Sequence, residues 1–114
     1  MTTTTATMKD PHREIYKAYG LSEGDWISLA KIWHKVQPYG IEAKCILPLS
    51  AKDQKLGIEV LFQRGTFAYS LRLSSKTREL WLSFYRNQDR APEMVVQGHI
   101  DRWQEMAGRM LCLR

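Results

Sequence analysis

The sequence has little of what would name a chemistry. Its two cysteines, Cys45 and Cys112, lie far apart and form no CxxC pair, and its three histidines, His12, His34 and His99, include no helical two-histidine pair. Metal-site spacing is therefore absent, and no metal or cofactor is expected. There is no GxSxG elbow, no phosphate-cradling loop of the Walker type and no GxGxxG after a strand. Cys112 with His99 is the nearest thing to a nucleophile and base, and a thiol among apolar neighbours is the simpler account. The expectation is that the chain is not an enzyme.

Long apolar runs are missing too. No segment approaches the ~18 consecutive apolar residues of a membrane span, and the first residues lack the basic start and apolar run of a signal peptide. The apolar flanks of both cysteines suit buried, reduced thiols, so a cytoplasmic protein is expected.

What is present is an ordinary globular composition with a basic balance. At 114 residues, 44% of them hydrophobic, the chain is long enough for one core without metal or disulfide staples. Four Trp and five Tyr argue against disorder. Seventeen basic against twelve acidic side chains give +5, which favours an anionic partner such as nucleic acid or an acidic protein surface. The basic residues are spread out and never reach the block of about five or six that marks a binding tail.

Residues 1–9 include five threonines and almost nothing to bury, which reads as a flexible tail ahead of a single domain over residues 10–114. Asp10 before Pro11 is a helix-start signal, and a first helix is predicted over Pro11 to Tyr19, ended by Gly20. Ser22, with Asp25 three residues on, opens a second helix through Gln37 that Pro38 stops. Trp26, Leu29, Ala30, Trp33 and Val36 share its inner face.

From Ala43 onward the period changes to two. Ala43 to Leu49 reads as a strand confined by Pro48 to a sheet edge. Further strands follow from Leu56, with Ile58, Val60 and Phe62, then Phe67, Tyr69, Leu71 and Leu73, then Leu80, Leu82 and Phe84 facing a core. Gly65 and the Ser75 to Arg78 stretch are the turns between them. Glu59 to Gln63 spells a string resembling the recognition sequence of viral 3C proteases, but Arg64 follows it and the strand alternation runs straight through it. A long last helix is predicted from near Pro92 toward Cys112, on the spacing of Val96, Ile100, Trp103, Ala107 and Met110. The sum is an α+β domain of order α-α-β-β-β-β-α with a four-stranded antiparallel meander.

The outer side of that sheet carries the principal candidate site. Trp81 and Tyr85 are four apart on one strand and so share a side, and Arg72 joins them in a simple hairpin register. Aromatics with arginine on an open sheet are a stacking surface for nucleic acid, single strands above all, with Arg64, Arg78 and Arg86 adding charge at the strand ends. The same patch, or an edge strand, also suits a protein-interaction factor such as an inhibitor, adaptor or assembly subunit. In that case the partner is an acidic protein, or a second copy joined through the edge. A weaker alternative places DNA against the second helix through Lys31, His34 and Lys35, because Gly20 sits where a helix-turn-helix keeps its turn. Tyr16, where that motif keeps a small residue, counts against it.

Overall fold

The computed structural model describes residues 15–87 and 90–112. Asp10, Pro11 and the threonine-rich stretch lie outside the described residues. Ile15–Tyr19 is a 3-10 turn, not the end of an α-helix. Its conformation is set by where it docks. Gly20, at φ 76°, lies so close to the loop before the second strand that a β-carbon would overlap the Lys55 carbonyl oxygen, and Tyr16 and Tyr19 are pressed into the core.

Helix α1, Glu23–Val36, follows as its sequence requires. The Ser22 hydroxyl accepts the Asp25 N–H at 3.1 Å, and Glu23 and Asp25 place negative charge at the positive end of the helix dipole. Pro38 allows only a further 3-10 turn, Gln37–Tyr39, which left-handed Gly40 closes. Among the described residues one α-helix therefore precedes the sheet, where two were expected.

The sheet has five strands among the described residues, not four. These are β1 (Glu42–Pro48), β2 (Gly57–Arg64), β3 (Phe67–Ser74), β4 (Glu79–Tyr85) and β5 (Met94–His99). They pair antiparallel in sequence order, with β1 and β5 at the edges. The fifth strand occupies residues that helical spacing had assigned to the last helix, which is shorter as a result: α2 is Trp103–Leu111. Val96 and Ile100 satisfy both periods, being four apart on a helix and on one side of a strand. Adjacent β-branched Val95 and Val96, with Gly98, tip the balance toward the strand. Gly98 also has a packing role, since a β-carbon there would come within 3.2 Å of the Met106 sulfur on α2.

Both helices cover the same side of the sheet. Ile58, Val60, Leu71, Leu73, Leu80, Phe84 and Val96 are buried beneath Trp26, Leu29, Trp33, Met106 and Met110. The layers meet closely, leaving an apolar gap of ≈ 30 Å³ among Ile32, Val36, Leu82 and Met110, about the room of one water. The two helix N-termini are tied to the sheet by Arg78, in the turn between β3 and β4. Its guanidinium reaches Asp25 of α1 at 2.8 Å and Asp101, just before α2, at 3.3 Å. The cysteines are not both buried as their flanks suggested. Cys112 is exposed at the end of α2 and Cys45 is half-buried on β1, and neither is disulfide-bonded.

Candidate functional site

The side of the sheet away from the helices is the candidate site, and strand register builds it residue by residue. Trp81 on β4 stands directly opposite Arg72 on β3, and Arg72 opposite Glu59 on β2. The row extends to Leu47 on β1 and Gln97 on β5. The next row along the strands is Cys45, Leu61, Ser70, Ser83 and Val95. Beyond it come Gln63, Ala68 and Tyr85.

Because side chains alternate, all of these face away from α1 and α2. Trp81, Tyr85, Leu61 and Leu47 are each half-buried, and Val95 is 50% exposed. Ser70 and Ser83, at 5% and 7%, lie at the bottom, because the larger side chains around them rise above two hydroxymethyl groups. The result is a trough with a small-residue floor. On the β1 to β3 side it deepens into a depression of ≈ 330 Å³ lined by Cys45, Leu61, Gln63, Ala68, Ser70 and Tyr85.

The charge on this side is balanced. Arg72 lies 3.9 Å from Glu59, and Glu79, at the end of β4, accepts a hydrogen bond from the Gln97 amide at 2.6 Å. One arginine thus faces two glutamates across the central strands. Lys44, which lines the depression, is paired with Glu42 at 3.5 Å, so among the described residues no surplus of positive charge accumulates there.

The other sequence-predicted residues are elsewhere. Arg78 belongs to the helix tether, and its hydrogen bond to Asp25 holds its already high pKa higher still. Arg86 donates to both Glu93 carboxylate oxygens, at 3.0 and 2.9 Å, while lying 5.8 and 5.7 Å from the Phe67 and Phe84 ring centres on the helix side. Arg64 follows Phe62 in the alternation and so also faces the helix side, opposite Phe67 and near Gly40. Lys31, His34 and Lys35 are exposed on α1, with the His34 ring 5.3 Å from that of Trp33. The structure thus brings together Arg72, Trp81 and Tyr85 and separates them from the remaining candidates. No known family model, curated protein or solved structure matches the chain.

Leu47, Leu61, Cys45 and Val95 complete the trough and had not been singled out. Their signal was present for the inner strands, since Leu61 occupies the outer phase of β2. It is hidden at the edges, where a register shift between Ala43 and Cys45 re-aims β1 and where the residues of β5 also fit helical spacing. Among the described residues no three His, Cys, Asp or Glu side chains converge on a metal position, and no helix is long and apolar enough to cross a membrane.

The two thiols provide a check on this geometry. Burial, and then the Glu59 charge, push the Cys45 thiol above its ordinary pKa, so little thiolate forms there near neutral pH. Under iodoacetamide at pH 7.5, exposed Cys112 should be modified at least about tenfold faster than Cys45. Equal rates, read by peptide mass spectrometry, would show that the β1 side of the trough is open.

Proposed function

We propose that the chain is a protein-interaction module whose uncovered sheet face receives an apolar segment of a partner protein. The observation that supports this reading is the composition of that face: an indole, a phenol and aliphatic side chains around a recessed serine floor, with no excess of positive charge. Large rigid aromatics bury much area at small entropic cost, which is how interaction hot spots are built. A nucleic-acid strand would need a surplus of cations along its path to release its counterions, and Arg72 is opposed by Glu59.

Trp81 and Tyr85 stand four residues apart, so ~13 Å along the strand. That span admits a helix ~10 Å wide lying across the strands, its small or apolar residues toward Ser70 and Ser83. Lys31 and Lys35 on α1 and Arg64, Arg78 and Arg86 at the strand ends lie off this face. There they would steer an approaching partner with an acidic rim, affecting association rate more than residence time.

The test is capture from nuclease-treated lysate of the source cells. The wild-type chain should retain one stoichiometric protein at low salt and at ~0.5 M salt, and the Arg72→Ala/Trp81→Ala variant should lose at least about tenfold of it while keeping its fold by circular dichroism. A labelled single-stranded oligonucleotide bound with steep salt dependence, with no protein retained, would instead make nucleic acid the ligand and end this reading.

A further inference from the structure

The two edges of the sheet are not alike. β1 carries the devices that keep an edge from pairing: Pro48 near its end, a register shift at Lys44, and the charged pair Lys44 and Glu42. β5 carries none of them. Between Met94 and His99 it has no proline, no lysine, arginine or carboxylate, and no register shift.

Its free main-chain groups follow from the phase of the ladder. The Ile100 N–H donates to the Arg78 carbonyl, and antiparallel pairs alternate between bonded and non-bonded positions. Gly98 and Val96 therefore exchange hydrogen bonds with β4, across from Leu80 and Leu82, and at the start of the strand the Phe84 carbonyl accepts the Glu93 N–H at 2.8 Å. Val95 and Gln97 turn their N–H and C=O outward, and His99 its N–H, while the His99 carbonyl opens the 3-10 turn Ile100–Arg102 that leads into α2. Among the described residues no further strand meets them.

From this edge we infer a second interaction surface, whose occupant is the β5 strand of another copy of this chain. A two-fold axis perpendicular to the sheet and passing through the Gln97 pair sets Val95 opposite His99 of the second copy, Gln97 opposite Gln97, and His99 opposite Val95. The Gln97 pair exchanges both its hydrogen bonds, and at each end the His99 N–H donates to the Val95 carbonyl of the other copy, which gives four main-chain bonds across the axis. No like charges oppose each other at neutral pH, although each chain carries +5. A pairing of β1 with β1 would have to accommodate Lys44, Glu42 and Pro48.

The dimer sheet has ten strands, with both troughs on the same side and both α2 helices on the other. A six-residue strand is ~20 Å long, so the pairing with its flanking helices buries on the order of 500 Å² per copy. That is below the usual size of a permanent interface, so association in the micromolar range is expected. The inference stands on the edge and not on the trough, and does not depend on a partner for the trough.

Sedimentation velocity on the full chain from ~5 to ~500 µM at 0.3 M salt reads it out, with a shift toward twice the monomer mass expected. Gln97→Pro removes an outward N–H without touching the ladder to β4, and Val95→Lys places a charge at the edge; each should weaken association at least about tenfold. Leu47→Lys on β1 and Trp81→Ala in the trough should leave it unchanged. If Gln97→Pro unfolds the domain, Val95→Lys and amide exchange of the wild type still decide. Exchange at Gln97 and His99 should slow as concentration rises, while Val96 and Gly98 stay protected throughout. A monomer at every concentration overturns the inference, as does a dimer that both edge variants leave intact.

Discussion

Replacing Arg78 with alanine should lower the unfolding free energy by about 3 kcal/mol, or about 12 °C in melting temperature for a domain of this size. The cost does not come from the guanidinium, whose side chain is 44% exposed. It comes from Asp25, only 5% exposed, which would keep its carboxylate in the interior after losing bonds at 2.8, 3.2 and 3.3 Å. Arg78→Lys keeps the charge but loses the fork, and should fall between wild type and alanine. Asp25→Ala in the Arg78→Ala background should cost much less than in wild type, because the orphaned charge is gone. The backbone offers a second handle. Arg78 sits at φ 59°, where a residue with a β-carbon costs about 1 kcal/mol more than glycine, so Arg78→Gly should be less harmful than Arg78→Ala by that amount. A loss under 1 kcal/mol for Arg78→Ala would mean that Asp25 is reached by water and that the tether is an ordinary surface pair. The same result bears on function. Weakened binding by an Arg78 variant reports a loosened attachment of the helix N-termini before it reports a lost ligand contact.

That role was illegible from the sequence for a plain reason. A positively charged residue at a turn looks the same whether it faces solvent or a buried carboxylate 53 positions away. Arg86 and Arg64 were ambiguous in the same way, since alternation places them on the helix side only after the strand ends are known. The inner strands were legible because two signals agreed there: period-two burial over Ile58 to Phe84, and short turns whose chemistry fixes the register. Given that register, the neighbourhood of Arg72, Trp81 and Tyr85 followed without coordinates.

The edges were less legible. The extra residue Lys44 in β1 is a tertiary adjustment with no local signature. In β5 two periodicities coincide over Val96 and Ile100, so the choice between strand and helix rests on what the segment pairs with, and β4 supplied the partner. Ser22 and Pro38 marked the bounds of α1 because helix start and stop signals are local. The first segment failed the same test because its shape depends on a distant loop, where the Lys55 carbonyl meets Gly20.

The two tryptophans on opposite sides of the sheet give the other large effect. Trp26→Ala should cost about 4 kcal/mol, because the indole is 1% exposed and packs 6.3 Å from the Tyr16 ring, so its removal leaves a cavity that α1 and the 3-10 turn cannot both close. Trp26→Phe should cost much less than its lost volume implies. Among the described residues the Trp26 indole N–H meets no hydrogen-bond partner, and deleting an unpaired buried donor recovers part of the packing loss. Trp81→Ala, on the uncovered side, should cost only about 1 kcal/mol, since the indole is partly exposed and its removal leaves no enclosed cavity. Urea titrations of the three variants check the order. If Trp81→Ala instead approaches Trp26→Ala, the outer side of the sheet is a second core and not a docking face. If the order holds, the chain maintains a half-buried indole, a phenol and two leucines on a face where they contribute little to folding, which is the energetic signature of residues held for a partner.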